Sequence, residues 1–281
     1  MSIWILRLAA FLYLGAAAAY VAHFAKPRLV RAASIGQVLV SIAFVVHGTS
    51  IGFACSEFRG AEFFTLRGGL VMTAWLAAGG LLALLRFYHL PAVGTFVTPL
   101  ILLALGPALF GRAGEIGPVP DVVRLPALKL HIGAVSLGIA LFTIAFGVAV
   151  MYLLQEREVK GKRFGALFSR LPSLESLDRL TQRLVRAGFV VFTVGIVLGS
   201  IVAQKAWGSF WTWDAQLIFA LAVWVLYGAM VQLRHNGVHG RRYALLTLAG
   251  FALVLTLIGI GQVPGLTQHQ GTFQARSGGA S

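Results

Sequence analysis

Apolar runs of about 20 residues recur along the chain, separated by short stretches in which basic side chains, glycine and proline collect. A helix of that length, rising about 1.5 Å per residue, crosses a hydrocarbon core of roughly 30 Å. The pattern predicts spans at about 3–25, 34–54, 67–86, 91–109, 128–154, 182–204, 215–234 and 241–262. Eight spans put both chain ends on one side. The expected fold is all-α, a polytopic membrane helix bundle of about eight transmembrane helices forming a single domain over residues 1–262. A tail over 263–281, ending in ARSGGAS, has too little apolar content to fold by itself and is expected to be largely disordered at its end. The first run begins almost at the first residue and lacks a small-residue cleavage site before Lys26, so it is expected to be a retained helix and not a leader.

Composition agrees with the pattern. Hydrophobic residues make up 58% of the chain and charged residues 11%, against about 25% charged in an ordinary soluble domain, which excludes a soluble globule. A formal net charge of +14 would suggest nucleic acid in a soluble protein. Here the distribution decides otherwise. Taking the connections alternately, fifteen of the 23 Lys and Arg fall in one set, among them Lys26, Arg28 and Arg31, the series from Arg157 to Arg186, and Arg234, Arg241 and Arg242. The positive-inside rule assigns that set to the cytoplasm, leaving both termini and the connection between the sixth and seventh spans outside. The charge is accounted for by topology and contact with anionic membrane lipid, without nucleic acid. The single cysteine, Cys55, excludes an intrachain disulfide and any CxxC motif.

The longest inner connection, about 155–181, carries Leu174, Leu177, Leu180 and Leu184 at helical spacing after Pro172. Glu175 and Asp178 come early and Arg179, Arg183 and Arg186 late, as a helix dipole favours. An amphipathic helix lying on the inner membrane surface and running into the sixth span is expected, with a docking face for a cytosolic partner as the alternative.

Chemistry concentrates at Lys205–Asp214, KAWGSFWTWD, where Trp207, Phe210, Trp211 and Trp213 stand close together with Gly208 and Ser209 as spacers. Aromatic rings at a span end serve as interfacial anchors; rings this crowded also suit a platform for a flat apolar ligand. Asp214 either caps the next helix or helps place that ligand. Ionisable groups within spans are costly and therefore functional candidates. Of the seven histidines, His89, His235 and His239 fall in inner loops and His23 near the inner end of the first span. His47 lies within the second span, His131 opens the fifth at its outer end, and His269 lies in the outer tail. His47 is either hydrogen-bonded to a neighbouring helix or a ligand. No internal repeat, nucleotide-binding glycine motif or catalytic nucleophile is visible, and no pair of broken helices marks a small-solute transporter.

WGSFWTWD resembles the tryptophan-rich WGxxWxWD signature of the haem-handling membrane proteins of cytochrome c maturation, the CcsA/ResC, CcmC, CcmF and HemX-like proteins. The likeness covers nearly the whole chain from about residue 40. LHI at His131 is similar to the family's LHV, and GLTQHQ places His269 near the position of a second outer histidine, two residues late and without the tyrosine that follows there. His47 with Ala74 and Trp75 fits the family's membrane histidine and its later AW pair, and LPSLESLDRLTQRLVRAGF is similar to the segment before the tryptophan region. The chain departs where WVLYGAMVQ puts Gln232 at the position of a second intramembrane histidine, where TLRGG replaces a stretch like NxYES, and where WDAQLI leans towards the HemX-like branch.

The resemblance implies haem b as cofactor, bound by Trp207, Gly208, Trp211, Trp213, Asp214, His47, His131 and His269. His131 and His269 would be the iron ligands at the outer face, and Lys205, Arg59, Arg67 or Arg124 could meet the propionates. It implies a protein of the bacterial inner (cytoplasmic) membrane that presents haem for cytochrome c assembly. By itself such a protein is no enzyme; it would be a possible subunit of a cytochrome c haem lyase, with a CcsB/ResB-like membrane protein and apocytochrome c as partners. The alternative is a HemX-like regulator or scaffold of a haem-biosynthesis enzyme. With Gln232 in place of a histidine, one haem is expected, at the outer site.

Overall fold

The computed structural model describes residues 1–26, 28–57, 65–110, 125–162 and 166–261; within helices, the side chains of Leu66, Ala166, Leu167 and Trp207 are outside that description. Among the described residues there are nine helices: α1 (Ser2–Ala25), α2 (Val30–Glu57), α3 (Leu66–Tyr88), α4 (Pro91–Phe110), α5 (Pro126–Lys160), α6 (Ala166–Arg170), α7 (Leu174–Trp207), α8 (Ala215–His235) and α9 (Arg241–Ile260). All but the short α6 are long and apolar enough to cross a membrane, and each corresponds to an expected span, the last of which, 241–262, overruns the end of α9 at Ile260 by two residues. The fold is a polytopic helical bundle. The tail after residue 262 lies outside the described residues.

Local chemistry sets the helix ends. Thr65, Ser173 and Asp214 stand at N-caps, and their side-chain oxygens accept hydrogen bonds from the amides of Gly68 (3.1 Å), Ser176 (3.3 Å) and Leu217 (3.0 Å), satisfying donors that a helix start leaves over. Pro126 opens α5, where its missing amide costs nothing. Gly208 ends α7 in the left-handed region at φ 74°, its amide donating to Gln204 O at 3.0 Å. That conformation suits a residue without Cβ and turns the chain out of the helix into the tryptophan segment.

At the centre, α5 and α7 pack along their lengths. At 35 and 34 residues each is about 50 Å long, well beyond a hydrocarbon thickness of roughly 30 Å. Their backbones approach closely because α7 presents Gly188, Gly195 and Gly199 to α5. A Cβ on these would lie 2.6 Å from Phe142, 2.7 Å from Val135 and 2.7 Å from His131. Gly138 on α5 answers with 2.9 Å to Phe192 Cβ. Small residues at such contacts drive helix association where lipid leaves no hydrophobic advantage. Phe142 stacks on Tyr227 of α8 at 3.6 Å between centroids, and Phe146 on Phe251 of α9 at 4.5 Å, which seats α9 on α5. On the other side, α1 buries Tyr13 and Tyr20 against α2 and α4.

Polar contacts fix the two ends of the bundle. At one end the Met1 amino group pairs with Glu57 at 2.7 Å, Ser50 Oγ donates to Ser2 O at 2.9 Å, and Arg67 donates to Ala108 O at 2.6 Å. At the other, which we call the basic end, Arg170 donates to Phe24 O and Arg183 to Tyr88 Oη. Asp178 there takes both guanidinium nitrogens of Arg234 at 3.0 and 2.7 Å and the amide of Gly240 at 2.9 Å, while Arg234 lies over the Tyr243 ring at 5.4 Å.

The expected surface helix is corrected here. Residues 174–186 are the first part of α7, one continuous helix to Trp207, and Leu177, Leu180 and Leu184 are buried in the core. Neither glycine nor proline lies between Leu174 and Arg186 to break it, and its apolar stripe finds protein where a surface helix would find lipid. No leucine docking face is left for a partner.

Removing one member of the Asp178 clasp strands the other, with side chains only 14% and 17% exposed. Asp178→Ala is expected to lower unfolding stability in detergent by roughly 2–4 kcal/mol, read as a shift in the denaturant midpoint. Gly94 offers a second check, since its Cβ would meet the Tyr20 ring at 2.7 Å. Gly94→Ala should cost about 1–3 kcal/mol through overpacking, whereas Gly52→Ala, with nothing within 4 Å, should be neutral or stabilising by up to about 1 kcal/mol.

Candidate functional site

The tryptophan segment is a built turn between α7 and α8. Beyond Gly208, Ser209 Oγ donates to Trp211 O at 2.7 Å and accepts from Trp211 N at 3.3 Å, folding residues 209–211 back on themselves. Asp214 then starts α8 as its N-cap. Between these fixed points Trp211 and Trp213 meet edge to face, 5.8 Å between centroids at 80°. Phe210 is 61% and Trp213 81% exposed, so two large rings are held outward at a span end, where aromatic side chains meet the membrane interface. Trp211 is half-buried, and its indole Nε1 is buried without a hydrogen bond among the described residues. The Trp207 side chain, His269, Arg59 and Arg124 fall outside the described residues. Lys205 is exposed at the end of α7, whereas Arg67 is engaged by α4.

His131 sits five residues into α5 and is brought against α7. Its Nδ1 lies 2.7 Å from Gly195 O. A carbonyl oxygen only accepts, so Nδ1 carries the proton, and the neutral ring then has its lone pair on Nε2. Gly199 lies eight residues before the end of α7, which sets the ring roughly 12 Å along the helix axis from the tryptophan turn. The structure thus places His131 and the tryptophan turn at the same end of α7.

His47 occupies a different environment. It is fully buried, with Tyr13 Oη 3.4 Å from its Nδ1 and the two rings edge to face at 5.9 Å. Its Nε2 makes no hydrogen bond among the described residues. Beside it Trp75 stacks on Phe44 at 4.9 Å and donates through Nε1 to Phe44 O at 3.0 Å, locking α3 to α2. The AW pair therefore fastens two helices next to the histidine. Gln232 is exposed on α8, three residues from its basic end, whereas His47 lies 17 residues along α2 from that same end. The two are separated by roughly 20 Å along the bundle, so they do not face a common ligand.

Among the described residues no three His, Cys, Asp or Glu converge as a metal cluster, and the imidazoles stand singly. Sequence reasoning missed Tyr13, Gly195 and Gly199. The two glycines left a signal, GIVLG, a small-xxx-small spacing within a span; Tyr13 left none.

Comparison with known proteins joins these observations. The sequence model of the family described as "Cytochrome C assembly protein" matches residues 35–260. The chain is 28% identical over 227 residues to the cytochrome c biogenesis protein CcsA of Prochlorococcus marinus (strain NATL2A), covering 68% of this chain and 72% of that one. It is 28% identical over 258 residues to the CcsA of Parasynechococcus marenigrum (strain WH8102), covering 81% and 85%. With a match that runs from α2 to the end of α9 and takes in His47, His131 and the whole tryptophan turn, this multi-pass membrane protein belongs to the cytochrome c assembly protein family.

Proposed function

We propose that the protein presents haem b at the outer membrane face for cytochrome c assembly, where His131 and His269 would hold the iron and Trp207, Gly208, Trp211, Trp213 and Asp214 would supply the surface for the porphyrin. The observation that carries this is the 2.7 Å contact from His131 Nδ1 to Gly195 O. A histidine that ligates iron through Nε2 commonly donates its other ring N–H to a carbonyl or carboxylate, which fixes the tautomer and raises the basicity of the ligating nitrogen. The exposed rings of Phe210 and Trp213 add flat apolar area on the same side. In this reading the cytochrome c biogenesis proteins named CcsA supply the class of function.

The residues that fit haem are those at the tryptophan end. The intramembrane pair does not fit it: His47 is enclosed by Tyr13 and the α2–α3 contact, and Gln232 is far from it. We assign His47 to helix packing and one haem to the chain. Bound haem supplies vinyl groups for thioether formation with an apocytochrome thiol pair. This chain's part is to bind, orient and shield, in a bacterial inner membrane with both termini outside and with a CcsB/ResB-like partner.

A second reading, regulation of a haem-biosynthesis enzyme by a HemX-like scaffold, is favoured by one observation. α5 and α7 run beyond the length a bilayer needs and are clasped to the α8–α9 turn by Asp178 at the basic end, which gives a firm surface there. Deleting the protein separates the readings: loss of c-type cytochromes with an intact haem-precursor pool supports assembly, and altered precursor levels with normal c-type cytochromes support regulation.

Purified protein is expected to carry one low-spin haem by pyridine haemochrome assay and absorption spectrum. His131→Gly should lower haem content strongly and regain part of it with added imidazole, while His47→Ala should leave it nearly unchanged. Equal losses from the two substitutions, or two haems per chain, would overturn the single outer site.

A further inference from the structure

We infer that Gly199 is a positioning residue for His131, and that its missing side chain is what allows the α7 backbone to hold the imidazole in the Nδ1–H form. The inference rests on the proposed role of His131 as an iron ligand and extends it to a residue on a different helix.

Helix geometry carries the argument. In α7 the carbonyl of residue 195 is the acceptor for the amide of residue 199, one turn on. The ring of His131 is therefore a second donor to an oxygen already used by the helix, and it must reach that oxygen from the side. Side chains on a helix lean towards its N-terminus and cover the preceding turn. The atom standing over the Gly195 carbonyl on that side is thus the Cβ of residue 199. Built there, a Cβ would lie 2.7 Å from His131 Cε1 and 2.9 Å from Nδ1, closer than carbon approaches in folded proteins. The imidazole is rigid, and its helix cannot retreat without opening the core. At Gly195 a Cβ would already meet the Val135 side chain at 2.7 Å and the Val135 amide nitrogen at 3.2 Å, so the two backbones are in contact one turn below the ring. An alanine at 199 must therefore push the imidazole off the Gly195 carbonyl. With that bond lost, the Gly195 carbonyl no longer selects the Nδ1–H form or fixes the direction of the ring.

The open space around Gly133 supplies the control. It is also a helical glycine of α5, two residues from His131, and a Cβ there meets nothing within 4 Å. Alanine favours helix over glycine at either position, so a loss confined to residue 199 is not a propensity effect.

The test uses the full chain in detergent, with 15N-labelled histidine, first without haem. Wild-type His131, assigned by its absence in His131→Gly, should show a protonated Nδ1 and an unprotonated, pyridine-like Nε2. Gly199→Ala should show a smaller share of the Nδ1–H form, and Gly133→Ala the wild-type pattern. Titration with haem should then show about 10- to 100-fold weaker binding in Gly199→Ala, the usual cost of losing an outer partner of a metal ligand, with a reduced low-spin fraction. Gly133→Ala should bind as wild type.

If Gly199→Ala keeps both the wild-type tautomer and the wild-type haem affinity while His131→Gly loses haem, the inference is overturned and the ligand reading stands. If His131→Gly binds haem as wild type does, the ligand reading fails, and the tautomer measurement still judges Gly199 in haem-free protein. Should Gly199→Ala not be recovered folded, an Nε2-protonated His131 in the wild-type protein would sink the inference by itself.

Discussion

The closeness of α5 to α7 is the constraint on which the remaining structure depends. In a bilayer, apolar side chains gain little by leaving lipid for protein, so two helices stay together through backbone proximity and tight packing. Gly188, Gly195 and Gly199 on one helix and Gly138 on the other supply that proximity. Phe146 stacks on Phe251, which sets α9 on α5, while α8 packs on α9 and α7 and reaches α5 through Tyr227, whose ring stacks on Phe142. The same closeness brings a main-chain carbonyl of α7 within reach of a side chain on α5, which is how His131 obtains a hydrogen-bond partner in a region poor in polar groups.

The bundle spends its few polar groups at its two ends, where water or headgroups can share the cost. Met1, Glu57 and Arg67 close one end, and Asp178, Arg183 and Arg234 the other. Interior exceptions among the described residues include His131 on the Gly195 carbonyl, Trp75 on the Phe44 carbonyl, His47 and Tyr13, which answer each other across α1 and α2, and the hydroxyls of buried threonines such as Thr143 and Thr247, which donate to carbonyls four residues back in their own helices.

Much of this was legible from the sequence because hydropathy in a membrane chain reports length directly. Each expected span coincides with a long helix to within two residues at its ends or lies inside it, and Ser173, Gly208 and Asp214 mark helix ends by residue type. The Leu174–Leu184 stripe was read correctly as helical but assigned to the wrong surroundings. A stripe of leucines states that one face is apolar and cannot state whether lipid or α5 covers it. The placement of His131 against Gly195 was not legible either, since the two are 64 residues apart and only the packing of two helices brings them together. Gln232, standing where the resemblance expects a second intramembrane histidine, already favoured His131 over His47 as an iron ligand; what the sequence could not show is that His47 is fully buried beside Tyr13.

That α7 is unbroken from Leu174 to Trp207 has a mechanical consequence. It is a single shaft about 50 Å long, with the Asp178 clasp at one end and the tryptophan turn at the other, and no hinge between them to absorb movement. Phe142, Val135 and His131 of α5 sit in the notches at Gly188, Gly195 and Gly199, so α7 shifts along α5 only by carrying or unseating these side chains. A displacement of 1–2 Å, about the size of helix shifts at many interfaces, applied at the clasp would arrive at the tryptophan turn undiminished. It would also draw the Gly195 carbonyl away from the imidazole it holds.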